Sequence, residues 1–416
     1  MLQHMATTCP VDRRLALEGM TLGQVLECGR IRIPTFQRRF CWERAQVEKW
    51  FEDVQNSPGQ LVVGHRLGKV MLAPRGDDLV CVDGQQRLTT ACLFLASVRD
   101  ALLLREDGST SVAVERAERA LYGGAAWEPA VRRECGSFFD GISYVVPEGT
   151  VLEHCCVTPS YPDRAAFCEL VTAGRFGKPP YKEDENTPLH AAKRRFDELV
   201  AQYFVVADDD EENGDVVARR AHFLVDRVLD FFSVMVARCK PDVHLPQLFL
   251  WLQEKSLFGL GAVLANPAPG QPFRCVDLVK NLLLATLVAQ PEPAQTAFYE
   301  HYWLPLEATF PTPAGFDDFL VAFTASVQKN TLVVGALEAR MREAIDVLKL
   351  KSTRAHALAY AQFVSYWETR LADARRGDED DDDAPSARLA ATLLTELLVR
   401  RRRETSPSRR RRKASH

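Results

Sequence analysis

The stretch that most restricts this chain is Leu-Val-Cys-Val-Asp-Gly-Gln-Gln-Arg-Leu-Thr-Thr, residues 79–90. Leu79–Val82 is a short apolar run with valine at two of its four positions, which predicts a buried strand. Asp83-Gly84 predicts a tight turn, because glycine enters positive φ without steric penalty. Leu88, Ala91, Cys92, Leu95, Val98 and Leu102 then recur at helical spacing, so a helix with one apolar face begins near Gln85. A strand that turns directly into a long helix belongs to a fold in which helix packs on sheet.

The start of this helix carries chemistry. Free backbone N–H groups at a helix N-terminus attract anions. Arg87 adds a bidentate donor for phosphate oxygens. Gln85 and Gln86 can hydrogen-bond a base, a sugar or an attacking water, and Asp83 can hold Mg²⁺ or orient a water. The junction therefore suits a nucleotide or a phosphodiester. A purely structural alternative is a helix capped by Asp83, with the polar residues facing solvent.

A second polar segment lies about forty residues upstream: Ile33-Pro34-Thr35-Phe36-Gln37-Arg38-Arg39-Phe40-Cys41-Trp42. Its aromatics read as core packing, whereas Gln37 and Arg38 are candidates for the same pocket. Around these segments, Thr21 caps a helix carrying Leu22, Val25 and Leu26 that Gly29 ends, and Ile31–Pro34 reads as strand. Ala45–Val54 has helical spacing, and the runs 61–63 and 70–72 precede 79–82 as strands. Residues 105–190 are less regular, with Gly- and Pro-rich turns. A helix is expected from Pro188 to Phe204, an acidic loop at 208–212, and a strand over 231–236. After His244 the pattern is mainly helical to about Leu371. The fold class is therefore α+β: a small mixed-sheet N-terminal domain followed by a mainly α-helical region.

Pro34-x-Phe36-Gln37-Arg38-x-Phe40-x-Trp42 followed by Asp83-Gly84-Gln85-Gln86-Arg87-Leu88-Thr89-Thr90 resembles the N-terminal domain family of GmrSD-type modification-dependent restriction endonucleases, within the ParB/sulfiredoxin-like fold group. Val157-x-Pro159 with Asp163 and Phe167 is similar to that family's mid-domain strand and helix start. Leu248–Leu252, Asn266 to Gly270, and Asp277-Leu278-x-Lys280-Asn281-Leu282-Leu283 resemble a later region of it. Tyr302-Trp303 and Phe316–Leu320 fit its helical extension, so the likeness spans roughly 20–330. It implies a ParB-like domain that binds and hydrolyses nucleoside triphosphates with Mg²⁺, linked to DNA restriction or nucleic-acid processing. Carried over by position, Asp83, Gln85, Gln86 and Arg87 are the catalytic set, with Asp83 as metal ligand. Gln37, Arg38, Gly84 and Thr89 are the nucleotide-binding set. Asp277, Lys280 and Asn281 match a family segment, and they fit equally a helix that buries Leu278, Leu282 and Leu283.

The implied division is an arm at 1–20, the GmrSD-like domain at 21–290, a helical extension at 291–375, an acidic disordered linker at 376–388, a helix at 389–399 and a basic disordered tail at 400–416. Family members often add an HNH nuclease domain, whose chemistry needs a water-activating His and partners about a metal. No such set stands after residue 330, and Asp242-Val243-His244 only superficially resembles one. Two Gly-Lys segments, at Gly68-Lys69 and Gly177-Lys178, lack the spacing and the Ser or Thr of a phosphate-binding P-loop.

Charge sharpens the tail. The net charge is −4, yet residues 400–416 hold nine Lys/Arg and one Glu, leaving −12 for the rest. Arg400, Arg401, Arg402, Arg403, Arg409, Arg410, Arg411, Arg412 and Lys413 read as a nucleic-acid arm or a nuclear address. No apolar run approaches the length of a membrane span and the start lacks a secretory core, so an intracellular protein without membrane association is expected, nuclear through its tail if eukaryotic. Eleven scattered cysteines without metal spacing read as reduced, apolar fillers. The competing function is a catalytically inactive nucleotide- or DNA-binding module, tethered to DNA or RNA by that tail.

Overall fold

A computed structural model of the chain describes residues 16–35, 37–56, 65–76, 78–103, 111–122, 155–172, 187–205, 213–239, 248, 275–284, 287, 292–328, 354–375 and 384–405. Phe36, the expected strand 61–63, the acidic loop 208–212, the segment Asn266–Gly270 and the tail residues 406–416 lie outside them. The described residues form two compact units. One takes those between Ala16 and Pro34 and between Arg38 and Cys239. The other takes Thr35, Gln37 and those from Leu248 to Thr405.

The first unit is built on a six-stranded mixed sheet. Its strands are β1 (Ala16–Thr21), β2 (Ile31–Arg32), β3 (Arg66–Arg75), β4 (Asp78–Asp83), β5 (Val157–Thr158) and β6 (Ser233–Arg238), in the order β1-β6-β3-β4-β2-β5. β3 and β4 form an antiparallel hairpin closed by Gly76, whereas β2 runs parallel to both β4 and β5. The carboxyl ends of β4, β2 and β5 therefore share one edge of the sheet, the place where open parallel sheets hold ligands. The α+β class is as the sequence predicts.

The helices follow from local signals. α1 (Leu22–Glu27) starts in a reciprocal box: the Thr21 hydroxyl accepts from the Gln24 N–H, and the Gln24 side chain accepts from the Thr21 N–H. α2 is Arg44–Asn56, α3 is Gln85–Leu103, α4 is Ser111–Tyr122, α5 is Tyr161–Thr172 and α6 is Pro188–Phe204, capped by Thr187. α7 (Asn213–Asp226) runs into a π-turn, Arg227–Phe231, before β6. Two elements differ from expectation. α4 lies in the stretch read as irregular, and α3 is buried on almost every side, not along a single stripe. A helix apolar all round belongs at the centre of a core. Leu88, Leu95 and Phe94 of α3 join Phe196 of α6 and Phe167 of α5 in that core. Each such side chain contributes roughly 1.5–3 kcal/mol of burial.

The second unit comprises α8 (Cys275–Leu284), α9 (Glu292–Phe298) with a π-turn to Trp303, α10 (Leu304–Glu307), α11 (Pro313–Gln328), α12 (Arg354–Arg375) and α13 (Ala384–Thr405). This unit takes in α8, which lies within the 21–290 span that the sequence assigned to the GmrSD-like domain. α13 also revises both flanks of the expected 389–399 helix. It begins inside the stretch read as linker and carries Arg400–Arg403 in helical conformation. Arg400 lies over the Phe323 ring and donates to the Ser326 hydroxyl at 2.8 Å, and Arg401 lies 4.3 Å above Phe310. Those two cations are packed against rings, while Arg402 and Arg403 are exposed. Arg409–Lys413 fall outside the described residues. The nine described cysteines are free thiols, six of them buried. Among the described residues no helix is long and apolar enough to cross a membrane.

Candidate functional site

Hairpin β3–β4 sets the floor of the site. Its register pairs Leu72 with Cys81 but Met71 with Asp83, so β4 holds one extra residue at its end. Such a bulge re-aims the side chains that follow it. Asp83 then meets Gly84, whose φ is +99°. A Cβ at Gly84 would lie 2.8 Å from Val70 Cγ2, so glycine is required by both the turn and the contact with β3. The Gly84 N–H donates to Asp83 Oδ1 at 2.9 Å, and the Gly84 carbonyl accepts from the N–H groups of Arg87 and Leu88 as α3 begins.

Arg87 folds back over β3. Its Nη1 donates to the Lys69 carbonyl at 2.9 Å, and its guanidinium lies so near Gly68 that a Cβ there would sit 3.2 Å from Nη2. Asp83 is partly buried. Loss of solvent pushes its carboxyl above the usual range, opposed by Arg87, by the Gly84 N–H, by Arg38 and by Lys69. Arg38 and the 83–87 turn, 45 or more residues apart in sequence, are thereby brought together.

The means of that meeting is Gln86. Its Oε1 accepts from the Cys41 N–H at 3.0 Å and its Nε2 donates to the Arg39 carbonyl at 3.1 Å. Asp163, in the first turn of α5, accepts from the Phe40 N–H at 2.6 Å. Beneath the loop, Phe40, Trp42, Trp50 and Phe232 form a chain of ring contacts with centroids 5.1–6.5 Å apart. The Arg38 guanidinium itself makes no hydrogen bond or ion pair among the described residues.

The remaining candidates fall as follows. Gln85 is 8% exposed, and its amide has no partner among the described residues. Thr89 is buried in the second turn of α3. Gln37 is a buried member of the second unit, where its carbonyl accepts from Lys280 Nζ at 2.7 Å. Lys280 and Asn281 are buried on α8, and the Asn281 Oδ1 has no partner among the described residues. Asp277 lies in the first turn of that helix.

Sequence reading missed Lys69 and Gly68, and treated Asp163 only as a helix start. The hairpin itself held the signal for the first two. Counting back from the Arg75–Asp78 turn puts residue 70 or 71 opposite Asp83, so Gly68-Lys69 must border the turn. Asp163 acts through a hydrogen bond 123 residues distant in sequence, which no local pattern announces. Among the described residues no three His, Cys, Asp or Glu side chains gather as a metal site. A single carboxylate, Asp83, at the start of a helix nevertheless fits Mg²⁺, which takes one or two carboxylates and completes its shell with phosphate oxygens and water.

Residues 22–238, more than half of the chain, match the family model of the GmrSD restriction endonuclease N-terminal domain. The match stops at the end of β6, short of the likeness read to residue 330. No curated protein matches the chain.

Proposed function

The chain belongs to the GmrSD restriction endonuclease N-terminal domain family, and from that premise we propose that its first unit binds a nucleoside triphosphate at the start of α3 and hydrolyses it in a restriction-related role. The observation that carries this reading is the gathering of Arg38, Lys69 and Arg87 about Asp83 at a helix N-terminus. A triphosphate is the ligand class such a set suits: three cations, free helix N–H groups and one carboxylate.

In this reading the protein contributes position and charge. Arg87 and Arg38 grip phosphate oxygens, each able to do so bidentately, and Lys69 adds a point charge. These cations would neutralise the charge that develops on the transferring phosphoryl group. Gln85 would hold the attacking water, since its amide has no partner among the described residues. Gln86, with both ends committed to the 39–41 backbone, serves as a positioning residue. Mg²⁺, held by Asp83 and the triphosphate, would supply further neutralisation between phosphate groups.

The test is phosphate release by the full-length protein from each nucleoside triphosphate with Mg²⁺, set against Asp83→Ala and Arg87→Ala. Each variant is expected to lose about 10²-fold or more in rate. Equal release from all three proteins overturns the proposal.

A further inference from the structure

We propose that Cys155 and Cys168 form a modification site at which a peroxide converts the two thiols into a disulfide. Cys155 stands two residues before β5 and Cys168 lies on α5, so the pair brackets a strand–helix turn within the sheet unit. Cys155 is 2% exposed. Its thiol donates a hydrogen bond to the Cys168 sulfur, which solvent reaches in part.

Their surroundings set the two thiols apart. The bond from Cys155 pulls the Cys168 thiol below its usual range, against partial burial and the Glu169 charge. The same bond, reinforced by burial, holds Cys155 protonated, while the enclosed Arg99 guanidinium acts on it in the opposite sense. Cys168 is therefore the thiol that both ionises and meets solvent, and the thiolate is the nucleophile. Cys155 is its resolving partner. A disulfide places its sulfurs about 2 Å apart, a short step from hydrogen-bond contact. Next to this pair Cys156 hydrogen-bonds to Cys92 of α3, but both of those are buried. The inner pair has the contact without the access. Among the described residues these thiols do not gather with other groups as a metal site.

Two steps complete the reaction. The Cys168 thiolate attacks one peroxide oxygen, the O–O bond breaks, and the other oxygen leaves as water or an alcohol with the proton that Cys168 gave up. The Cys155 sulfur then attacks the Cys168 sulfenic acid, the S–O bond breaks, and hydroxide leaves with the Cys155 proton as water. Two thiols are oxidised and one peroxide is reduced. The bridge closes a ring of chain that includes Asp163, the acceptor for the Phe40 N–H.

The test treats the reduced full-length protein with one equivalent of hydrogen peroxide, blocks the remaining thiols and maps the peptides without reduction. A Cys155–Cys168 bridge that dithiothreitol reverses is expected, with Cys168 losing its free thiol at least about threefold faster than the exposed Cys28. Cys155→Ser should leave Cys168 as a sulfenic acid that dimedone labels, and Cys168→Ser should leave Cys155 unbridged. The proposal is overturned by absence of the bridge, by oxidation of Cys168 no faster than that of Cys28, by a Cys155→Ser variant without the label, or by a Cys155 bridge that persists in Cys168→Ser. If a serine variant fails to fold, the wild-type map and the Cys28 comparison decide the matter by themselves.

Discussion

Helix α3 carries charged groups at both ends, and the two ends are built differently. Near its C-terminus Arg99 is fully enclosed, donating to Asp100, to the Tyr122 hydroxyl and to the Val171 carbonyl. Lys193, also enclosed, donates to Asp100 at 2.9 Å and to Asp197 at 2.7 Å. Two cations meet two carboxylates. At the N-terminus the charges that act most strongly on Asp83 are three cations, Arg87, Arg38 and Lys69. The matched end holds α3 to α4, α5 and α6. In the function proposed above, the other end is where an anion would bind, beside Arg38, Lys69 and Arg87.

That comparison breaks or sharpens under substitution. The largest effect is expected from Arg99→Ala, which strands the Val171 carbonyl and leaves Asp100 to Lys193 alone. Removing one partner of a buried ion pair costs about 3–5 kcal/mol, to be read by chemical denaturation. A loss below about 1 kcal/mol would show that the closed end is not the structural one. Next comes Gln86→Ala, which frees the Arg39 carbonyl and the Cys41 N–H. A loss of about 1–3 kcal/mol should accompany weaker nucleotide binding, whereas Arg99→Ala should leave the binding of the folded fraction intact. Wild-type binding by Gln86→Ala would separate the loop from the site.

The smallest change runs the other way. Asp83 has a raised pKa in the fold, so its ionisation favours the unfolded chain. Below the unfolded value of 3.8 both states hold the proton and no penalty exists. As pH rises through that value the penalty grows, and it levels off once pH passes the folded value. Asp83→Asn mimics the protonated form and keeps the acceptor for the Gly84 N–H. Its stability should match wild type near pH 3, exceed it at pH 7, and coincide with lost turnover. A variant less stable than wild type at pH 7 would move Asp83 to the structural side of the comparison.

Much of this was legible in the residues. The strand–turn–helix of 79–102, the Thr21 cap and the helix from Pro188 to Phe204 are local signals, and each formed as read. The α4 helix escaped because its buried stripe is alanine, Ala113, Ala117 and Ala120, too small to stand out as apolar periodicity. The site was half legible. Asp83, Gly84 and Arg87 lie in one local motif, and Arg38 was paired with them through a family likeness. The clasp that joins the halves was not visible, because Gln86 and Asp163 act on main-chain atoms that any sequence would present. The 400–403 arginines were read by charge alone, and the rings of Phe310 and Phe323 gave two of them a packing role.

The Gln37–Lys280 bond spans 243 residues of chain. At translation speeds of roughly 5–20 residues per second, the carbonyl waits some ten to fifty seconds for its donor to leave the ribosome. The hairpin and the α3 turn can form on the nascent polypeptide long before then. Fixing of the Gln37 main chain by this bond is accordingly timed to a late moment in synthesis.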